Sequence, residues 1–229
     1  MDHKEIIEKL EKMGSARNVE GMARFGIKPK IKVLGISSPN LRKLAKEIGK
    51  NHELAEKLWD SKIHEARILA SLVSDPARVT RKQFHKWIKD FDSWAVCDSV
   101  CLHLLDKTTF AREAVFELSR RKKEFEKRTA FTLMACLAVH DKKSKDKDFL
   151  KFFPLIKCEA GDDRNFVKKA VNWALRQIGK RNKNLNKKAV KLAREMKESG
   201  EKNNIKSAKW IANDAIRELS SEKTLKNIK

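Results

Sequence analysis

Trp94 and Asp98 form the pair of residues in this sequence whose types and spacing best suit chemistry. Because they are four residues apart, a helix would place them one turn above each other, at the edge of an apolar stripe that contains Cys97. A carboxylate beside an indole ring at a core margin is unusual and therefore a candidate functional pair. The pattern is equally compatible with a packed tryptophan and an aspartate that caps a helix or pairs with a lysine.

Two further apolar segments carry a similar polar or aromatic side chain. Arg128 lies in the first turns of an otherwise apolar helix, while Phe166, Trp173 and Arg176 lie beside an apolar stripe further along the chain. Each segment alone is more typical of packing than of function. Their recurrence on successive helical repeats matters, because a solenoid aligns equivalent positions along one groove.

Metal and nucleophile chemistry receive little support. A metal site from Cys97, Cys101 and His103 is conceivable on spacing, but the usual structural-zinc spacings are missing. No histidine has a nucleophile at a telling spacing, so we assign no catalytic role to His64, His103 or His140. We expect no metal and no cofactor. Four cysteines lie in apolar, helix-like stretches and are expected to be buried in a reducing compartment: Cys97, Cys101, Cys136 and Cys158.

Charge points to the partner. The chain has 53 Lys and Arg against 31 Asp and Glu, a net charge of +22, which favours binding to nucleic acid, an anionic membrane or an acidic protein. The sequence contains no long apolar run, signal-peptide pattern or distinct membrane-surface helix. Nucleic acid is therefore the leading partner, although lysine-rich helix faces also occur simply as solvated surface.

Apolar periodicity is helical almost throughout, and only 8 Gly and 4 Pro interrupt it in 229 residues. We predict one all-α domain over residues 1–220, an α-solenoid of HEAT-like helical hairpins with a concave basic groove, although internal self-similarity is too weak to prove repeats. Residues 28–34 are predicted to be extended and residues 221–229 to be a basic, frayed tail. Three tryptophans are expected to pack in the core or in hairpins: Trp59, Trp87 and Trp210. The predicted helices after Ser38-Pro39, taken as N-cap and first helical residue, include His52–Asp60, Ile63–Val73, Thr80–Lys89, Ser93–Leu105, Thr109–Arg120, Lys123–His140, Asp146–Lys157, Asp163–Gly179, Leu185–Lys197 and Ser207–Leu219.

A family resemblance follows from the order and spacing of several short segments. They are Gly21-Met22-Ala23-Arg24-Phe25, Leu34-Gly35-Ile36 with Ser38-Pro39, Leu58-Trp59-Asp60, Trp94-x-x-x-Asp98, Lys127-Arg128-Thr129-Ala130, and Phe166 leading to Lys169-Ala170 and Trp173-Ala174-Leu175-Arg176. Together they make nearly the whole chain similar to the AlkD-like family of HEAT-like-repeat DNA glycosylases. None of the segments alone is as specific as a metal-binding motif.

The resemblance implies excision of cationic N3- and N7-alkylated purines from bent duplex DNA, without flipping the base into a pocket. By its implication, Trp94, Asp98 and Trp173 contact the deoxyribose of the damaged nucleotide and Arg128 contacts the flanking phosphate. Phe25 falls where catalytic members can carry a tyrosine, so a hydroxyl contact is missing there. The remaining candidates for DNA binding are Arg24, Lys28, Lys30, Lys32, Phe166, Lys168, Arg176, Lys180 and Lys209.

Three functions remain open on these observations. The first is an alkylpurine DNA glycosylase with Asp98 as its electrostatic catalyst. The second is a non-catalytic protein of the same fold that binds branched or distorted DNA, and the third is a helical scaffold for RNA or an acidic protein. We expect a monomer in the cytoplasm, associated with the nucleoid when it binds double-stranded, preferably alkylated, DNA, and with no membrane partner.

Overall fold

The structure, a computed structural model, describes residues 1–228 and is all-helical over that range. The chain divides into two compact units, one spanning Met1–Thr109 and the other beginning at Phe110. The prediction of an all-α fold is confirmed. Within the described residues, none of the helices combines the length and apolar character that a membrane crossing needs.

The first unit consists of seven α-helices and two short 3-10 turns, within the range 1–109. The α-helices are α1 (His3–Lys12), α2 (Ala16–Arg24), α3 (Ser38–Ile48), α4 (His52–Asp60), α5 (His64–Val73), α6 (Arg81–Lys89) and α7 (Trp94–His103). Helix α5 is the centre of this unit, since it packs against α3, α4 and α7. Its buried side chains include charged residues, Glu65 and Arg67, as well as apolar ones.

Two tryptophans stack in the core of the first unit. The rings of Trp59 and Trp87 are nearly parallel, with centroids 4.1 Å apart, and both side chains are fully buried. The Trp59 indole N–H donates to Asp90 Oδ2 over 2.8 Å, which satisfies its polar atom. The Arg67 guanidinium lies 4.9 Å from the Trp59 ring centroid. The structure therefore agrees with the expected packing role of these two tryptophans.

The second unit is a series of packed helices. Those within its described residues are α8 (Ala111–Leu118), α9 (Glu124–His140), α10 (Asp146–Leu150), α11 (Phe153–Cys158), α12 (Asn165–Gly179), α13 (Lys183–Lys202), α14 (Lys206–Leu219) and α15 (Glu222–Asn227). Helix α9 is buried along most of its length and packs on α8 and α12. Helix α12 in turn packs on α13 and α14, which also pack on each other. This succession of paired helices is the expected hairpin arrangement.

Three local predictions differ from the structure. The predicted helix 146–157 is two helices, because Pro154 lacks the N–H that a continuous helix would need there. The N-cap of α3 is Ser37, whose hydroxyl accepts the Asn40 N–H, so Pro39 is tolerated within the first turn. Cys158 is exposed at the end of α11, whereas the other three cysteines are buried as expected.

The C-terminal segment also differs from its expectation of fraying. Residues Glu222–Asn227 form α15, and the Ser221 side chain accepts the backbone N–H of Thr224 at its start. Thr224 and Ile228 are buried. A cap and two buried contacts explain why this polar segment is helical in the described chain.

We predict that His64 makes the protein less stable in acid. The side chain is 1% exposed, and neither ring nitrogen has a hydrogen-bond partner among the described residues. Burial lowers the pKa of His64 below its ordinary value of 6.5, although the charges of Glu65 and Asp92 oppose the shift and that of Arg67 adds to it. The unfolded chain therefore binds more protons below about pH 6.5. Stability is fully present above that pH and declines as pH falls toward the lower folded-state pKa.

Urea unfolding of wild type and His64→Phe between about pH 8 and pH 5 tests this expectation. Phenylalanine keeps an aromatic ring at this position but cannot titrate. The stability of the variant should therefore fall less with acid than that of wild type. Parallel curves for wild type and His64→Phe would contradict the assignment.

Candidate nucleic-acid interface

Helix α7 separates its core residues from Trp94 and Asp98. Val96, Cys97 and Val100 are fully buried on one side, whereas Trp94 and Asp98 are half-buried on the accessible side. The Ser93 side chain accepts the Val96 N–H and so fixes where the helix begins. The structure thus presents the indole and the carboxylate on one accessible face, one turn apart.

Trp94 is anchored to the predicted DNA-binding residue Phe25. The indole N–H donates to the Phe25 carbonyl oxygen at 3.1 Å. Phe25 ends α2, and its ring is 76% exposed, with the exposed Arg24 directly before it. The hydrogen bond brings these residues together in the first unit and leaves the Phe25 ring available for contact with a ligand.

Three predicted DNA-binding lysines lie on an extended segment. Lys28, Lys30 and Lys32 alternate with less exposed residues, and all three are exposed, as expected of an extended chain lying along a surface. Lys32 pairs with Glu11 at 2.6 Å. Ammonium groups two residues apart on an accessible edge suit a phosphate backbone.

Two carboxylates that we did not single out from the sequence hold this segment. Asp92 Oδ2 accepts the backbone N–H of Lys30 at 2.8 Å. The buried carboxylate of Glu65 accepts the N–H groups of Leu34 and Gly35, at 2.9 and 2.8 Å. A glutamate within the apolar stretch of α5 is the sequence signal for such a role, because an ionised side chain is rarely buried unless it is paired or hydrogen-bonded.

Gly35 allows the chain to turn beside this carboxylate. Its φ of 77° lies in the left-handed region, and a Cβ there would stand 2.3 Å from the Ser15 carbonyl oxygen. The Ser15 N–H donates to the Leu34 carbonyl at 2.7 Å, which ties the segment to the start of α2. A side chain at position 35 would therefore displace the backbone that carries the lysines.

Arg128, in the second unit, is buried rather than presented to solvent. Its guanidinium donates to the Phe166 carbonyl oxygen, and its side chain is nearly inaccessible. The Phe166 ring stacks on Phe125, with centroids 5.5 Å apart. The structure therefore brings Arg128 and Phe166 together. In the free protein this hydrogen bond joins α9 to the start of α12.

An ion network precedes Phe166. Lys127 contacts both Glu159 and Asp162, and Arg164 pairs with Asp162. Burial raises the pKa of Asp162, but side-chain hydrogen bonds from Arg164 and Lys127 outweigh it and leave the pKa below its ordinary value. The network keeps the carboxylate ionised and fixes the chain that enters α12.

Trp173 and Arg176 on α12, and Lys180 directly after it, are half-buried, and both cations are paired with carboxylates. Arg176 pairs with Asp214 and Glu218 of α14, and Lys180 pairs with Glu218 at 2.6 Å. Burial raises the pKa of Glu218. The hydrogen bond from Lys180 and the charges of both cations lower it by more, so the pKa lies below its ordinary value. Phosphate would therefore compete with a carboxylate for both cations.

In the described part of the chain, the other two predicted lysine contacts of the second unit, Lys168 and Lys209, have neutral neighbours and form no ion pair with a carboxylate. Lys168 Nζ is 5.1 Å from the centroid of the Trp210 ring, and Lys209 Nζ is 3.5 Å from Asn204 Oδ1. Trp210 is 42% exposed, so it is not a core residue, and of its two expected roles only packing within a hairpin stays a prediction. Within the described residues, no cluster of His, Cys, Asp and Glu is arranged to hold a metal ion.

Comparison with known proteins identifies the fold and the family. Residues 6–219 match the sequence model of a family described as "DNA alkylation repair enzyme", which agrees with the resemblance seen in the short segments. A solved structure described as "A new family of proteins related to the HEAT-like repeat DNA glycosylases with affinity for branched DNA structures" is similar, with a TM-score of 0.76 and 22% identity over 85% of this chain and 83% of that chain. At this identity the likeness concerns the fold, and the HEAT-like helical architecture is confirmed. No protein of curated function matches the chain in sequence.

We predict that Glu65→Ala destabilises the protein by about 3 kcal/mol, because it leaves two buried backbone donors without an acceptor. Glu65→Gln retains one acceptor oxygen and should cost about half as much. Chemical denaturation measures both changes. Glu56→Ala, at an exposed position on α4, is the control and should change stability by less than about 0.5 kcal/mol. An equally small effect of Glu65→Ala would exclude the anchoring role.

Proposed function

The chain belongs to the DNA alkylation repair enzyme family, and from that membership we propose that it is a DNA glycosylase for alkylated purines. It binds duplex DNA and hydrolyses the N-glycosidic bond of cationic N3- or N7-alkylated bases. The observation that carries this proposal is the Trp94 and Asp98 pair on the accessible side of α7, beside the exposed ring of Phe25.

DNA binding follows from charge placed on an accessible surface. The net charge of +22 attracts a polyanion at long range. Lys28, Lys30 and Lys32 provide short-range contacts on a segment whose backbone is held by Asp92 and Glu65. A segment that is already ordered loses little conformational entropy on binding, which favours affinity.

The chemistry needs one well-placed carboxylate. An N-alkylated purine is already cationic, so the C1′–N bond breaks with both electrons moving to the base, and the base leaves neutral. The sugar becomes an oxocarbenium-like cation, which the negative charge of Asp98 stabilises. The indole face of Trp94 adds a cation–π attraction. Water bound to Asp98 then attacks C1′ and releases a proton, leaving an abasic site.

The family resemblance also implies DNA contacts for two residues of the second unit. By that implication, Trp173 contacts a deoxyribose and Arg128 contacts a phosphate. In the free protein Arg128 donates to the Phe166 carbonyl, so its phosphate contact requires a shared or exchanged hydrogen bond. Lys168 and Lys209 are better placed for phosphate than Arg176 and Lys180, since the latter pair with Glu218.

A second candidate function is binding to branched DNA without base excision. Two observations favour it: the similar solved structure is described as having affinity for branched DNA, and Arg128 is occupied within the protein. A basic helical surface suits a junction, where the phosphate backbones of several strands converge. The two functions make opposite predictions for base release.

We predict that wild type releases the base from a duplex with a single N7-methylguanine, and that Asp98→Asn lowers the single-turnover rate at least about 100-fold. The amide retains the shape of the carboxylate but lacks the charge that stabilises the sugar cation. Base release is followed over hours against spontaneous depurination. Asp60→Asn, an exposed aspartate on α4, should leave the rate unchanged. Equal rates for Asp98→Asn and wild type would refute the role of Asp98.

Binding to a four-way junction and to a linear duplex of equal length separates the two candidate functions. A glycosylase should bind both with affinities within about tenfold of each other, because backbone charge dominates binding in each case. Base release at the background rate, together with much tighter binding to the junction, would replace the glycosylase proposal with the branched-DNA function. Anisotropy titrations at two salt concentrations provide the affinities.

A further inference from the structure

Trp210 is a large aromatic residue without a core position. It is 42% exposed on α14, whereas Trp59 and Trp87 are fully buried. An indole is large and amphipathic, so one that is partly exposed can offer its ring to an external partner. Family membership assigns this residue no role.

The surroundings of Trp210 are cationic. Lys168 reaches over from α12, with Nζ 5.1 Å from the ring centroid. On α14 itself, Lys206 and Arg217 lie four and seven residues from Trp210, so helical geometry places them on its side of the helix, where Arg217 also pairs with Asp214. The opposite side of α14 is buried, with Ala208, Ile211, Ala212 and Ala215 in the core.

Positive charge around an accessible indole fits one class of ligand particularly well. Ammonium groups bind phosphates, and a flat aromatic face stacks on a nucleobase of any sequence. A base inside a duplex is already stacked on its neighbours, so only an unpaired base can reach the ring. Acidic protein segments would use the lysines but would leave the indole face without a matching group.

We propose that Trp210 is a stacking platform for an unpaired base of DNA, with Lys168 and Lys206 binding the phosphates on either side. This inference rests on the DNA binding in the proposed function, and it does not depend on base excision. The cation–π contact with Lys168 holds the lysine beside the ring and orders both groups before DNA arrives.

The experiment uses the full chain and three duplexes of the same sequence. One is fully paired, one carries a single unpaired thymidine, and one carries an unpaired abasic nucleotide at that position. Wild type should bind the unpaired thymidine about tenfold more tightly than the abasic nucleotide, since the two differ only in the base that stacks. Trp210→Ala should remove that difference, and Trp210→Phe should retain most of it. Fluorescence anisotropy at fixed salt measures each affinity.

The comparison forms a double-mutant cycle between the indole and the base, which separates stacking from a structural role. Phe116→Ala, which truncates an exposed aromatic of α8, is the matched control and should preserve the tenfold preference. The proposal is overturned if wild type shows no preference for the base, or if Trp210→Ala weakens all three duplexes equally. Failure of the proposed function looks different: wild type would then bind none of the duplexes, or would bind them but release no base from the separate N7-methylguanine duplex.

Discussion

The hydrogen bonds from the extended segment to Glu65 and Asp92 are the interaction on which the accessible surface of the first unit depends. An extended chain in an all-helical protein has backbone donors that no sheet can satisfy, and burying them unpaired is costly. Glu65 accepts two of these donors from within the core, and Asp92 accepts a third just before α7. These hydrogen bonds therefore order the basic segment, and the one to Asp92 ties it to the residues directly before the helix that carries Trp94 and Asp98.

Cations of this chain divide into those bound internally and those available to a polyanion. Arg128, Arg176 and Lys180 are held by the Phe166 carbonyl or by Glu218, so they join helices of the second unit. Internal pairing lowers the pKa of Glu218, which keeps these bridges charged well below neutral pH. Lys28 and Lys30, by contrast, carry their charge on an exposed segment. The net charge accounts for attraction to DNA in general. The separation of exposed from internally bound cations indicates which residues can contact the DNA.

Aromatic residues show a parallel division. Trp59 and Trp87 stack in the core, and the Trp59 indole donates to Asp90, so their contribution is to stability. Phe25 and Trp210 have exposed rings beside positive charge, where a nucleic acid can supply the missing apolar contact. Trp94 is intermediate in exposure: its N–H donates to the Phe25 carbonyl, and its side chain is half-buried at the surface. Exposure, rather than residue type, therefore decides which aromatics are candidates for binding.

Local pattern in the sequence determined the helices, the basic character and the family, because periodicity, charge and short segments in fixed order are properties of neighbouring residues. The helix 52–60 was predicted to the residue, and the pairing of Trp94 with Asp98 follows from helical spacing alone. Only the tertiary structure decided that Arg128 is buried, that Glu218 neutralises Arg176, and that Trp210 is exposed, since each depends on partners about 40 residues away or on a neighbouring helix. Periodicity places Glu65 within an apolar stretch but contains no information about which residues it contacts, so the anchoring of residues 30–35 by Glu65 and Asp92 was decided only by how the chain packs.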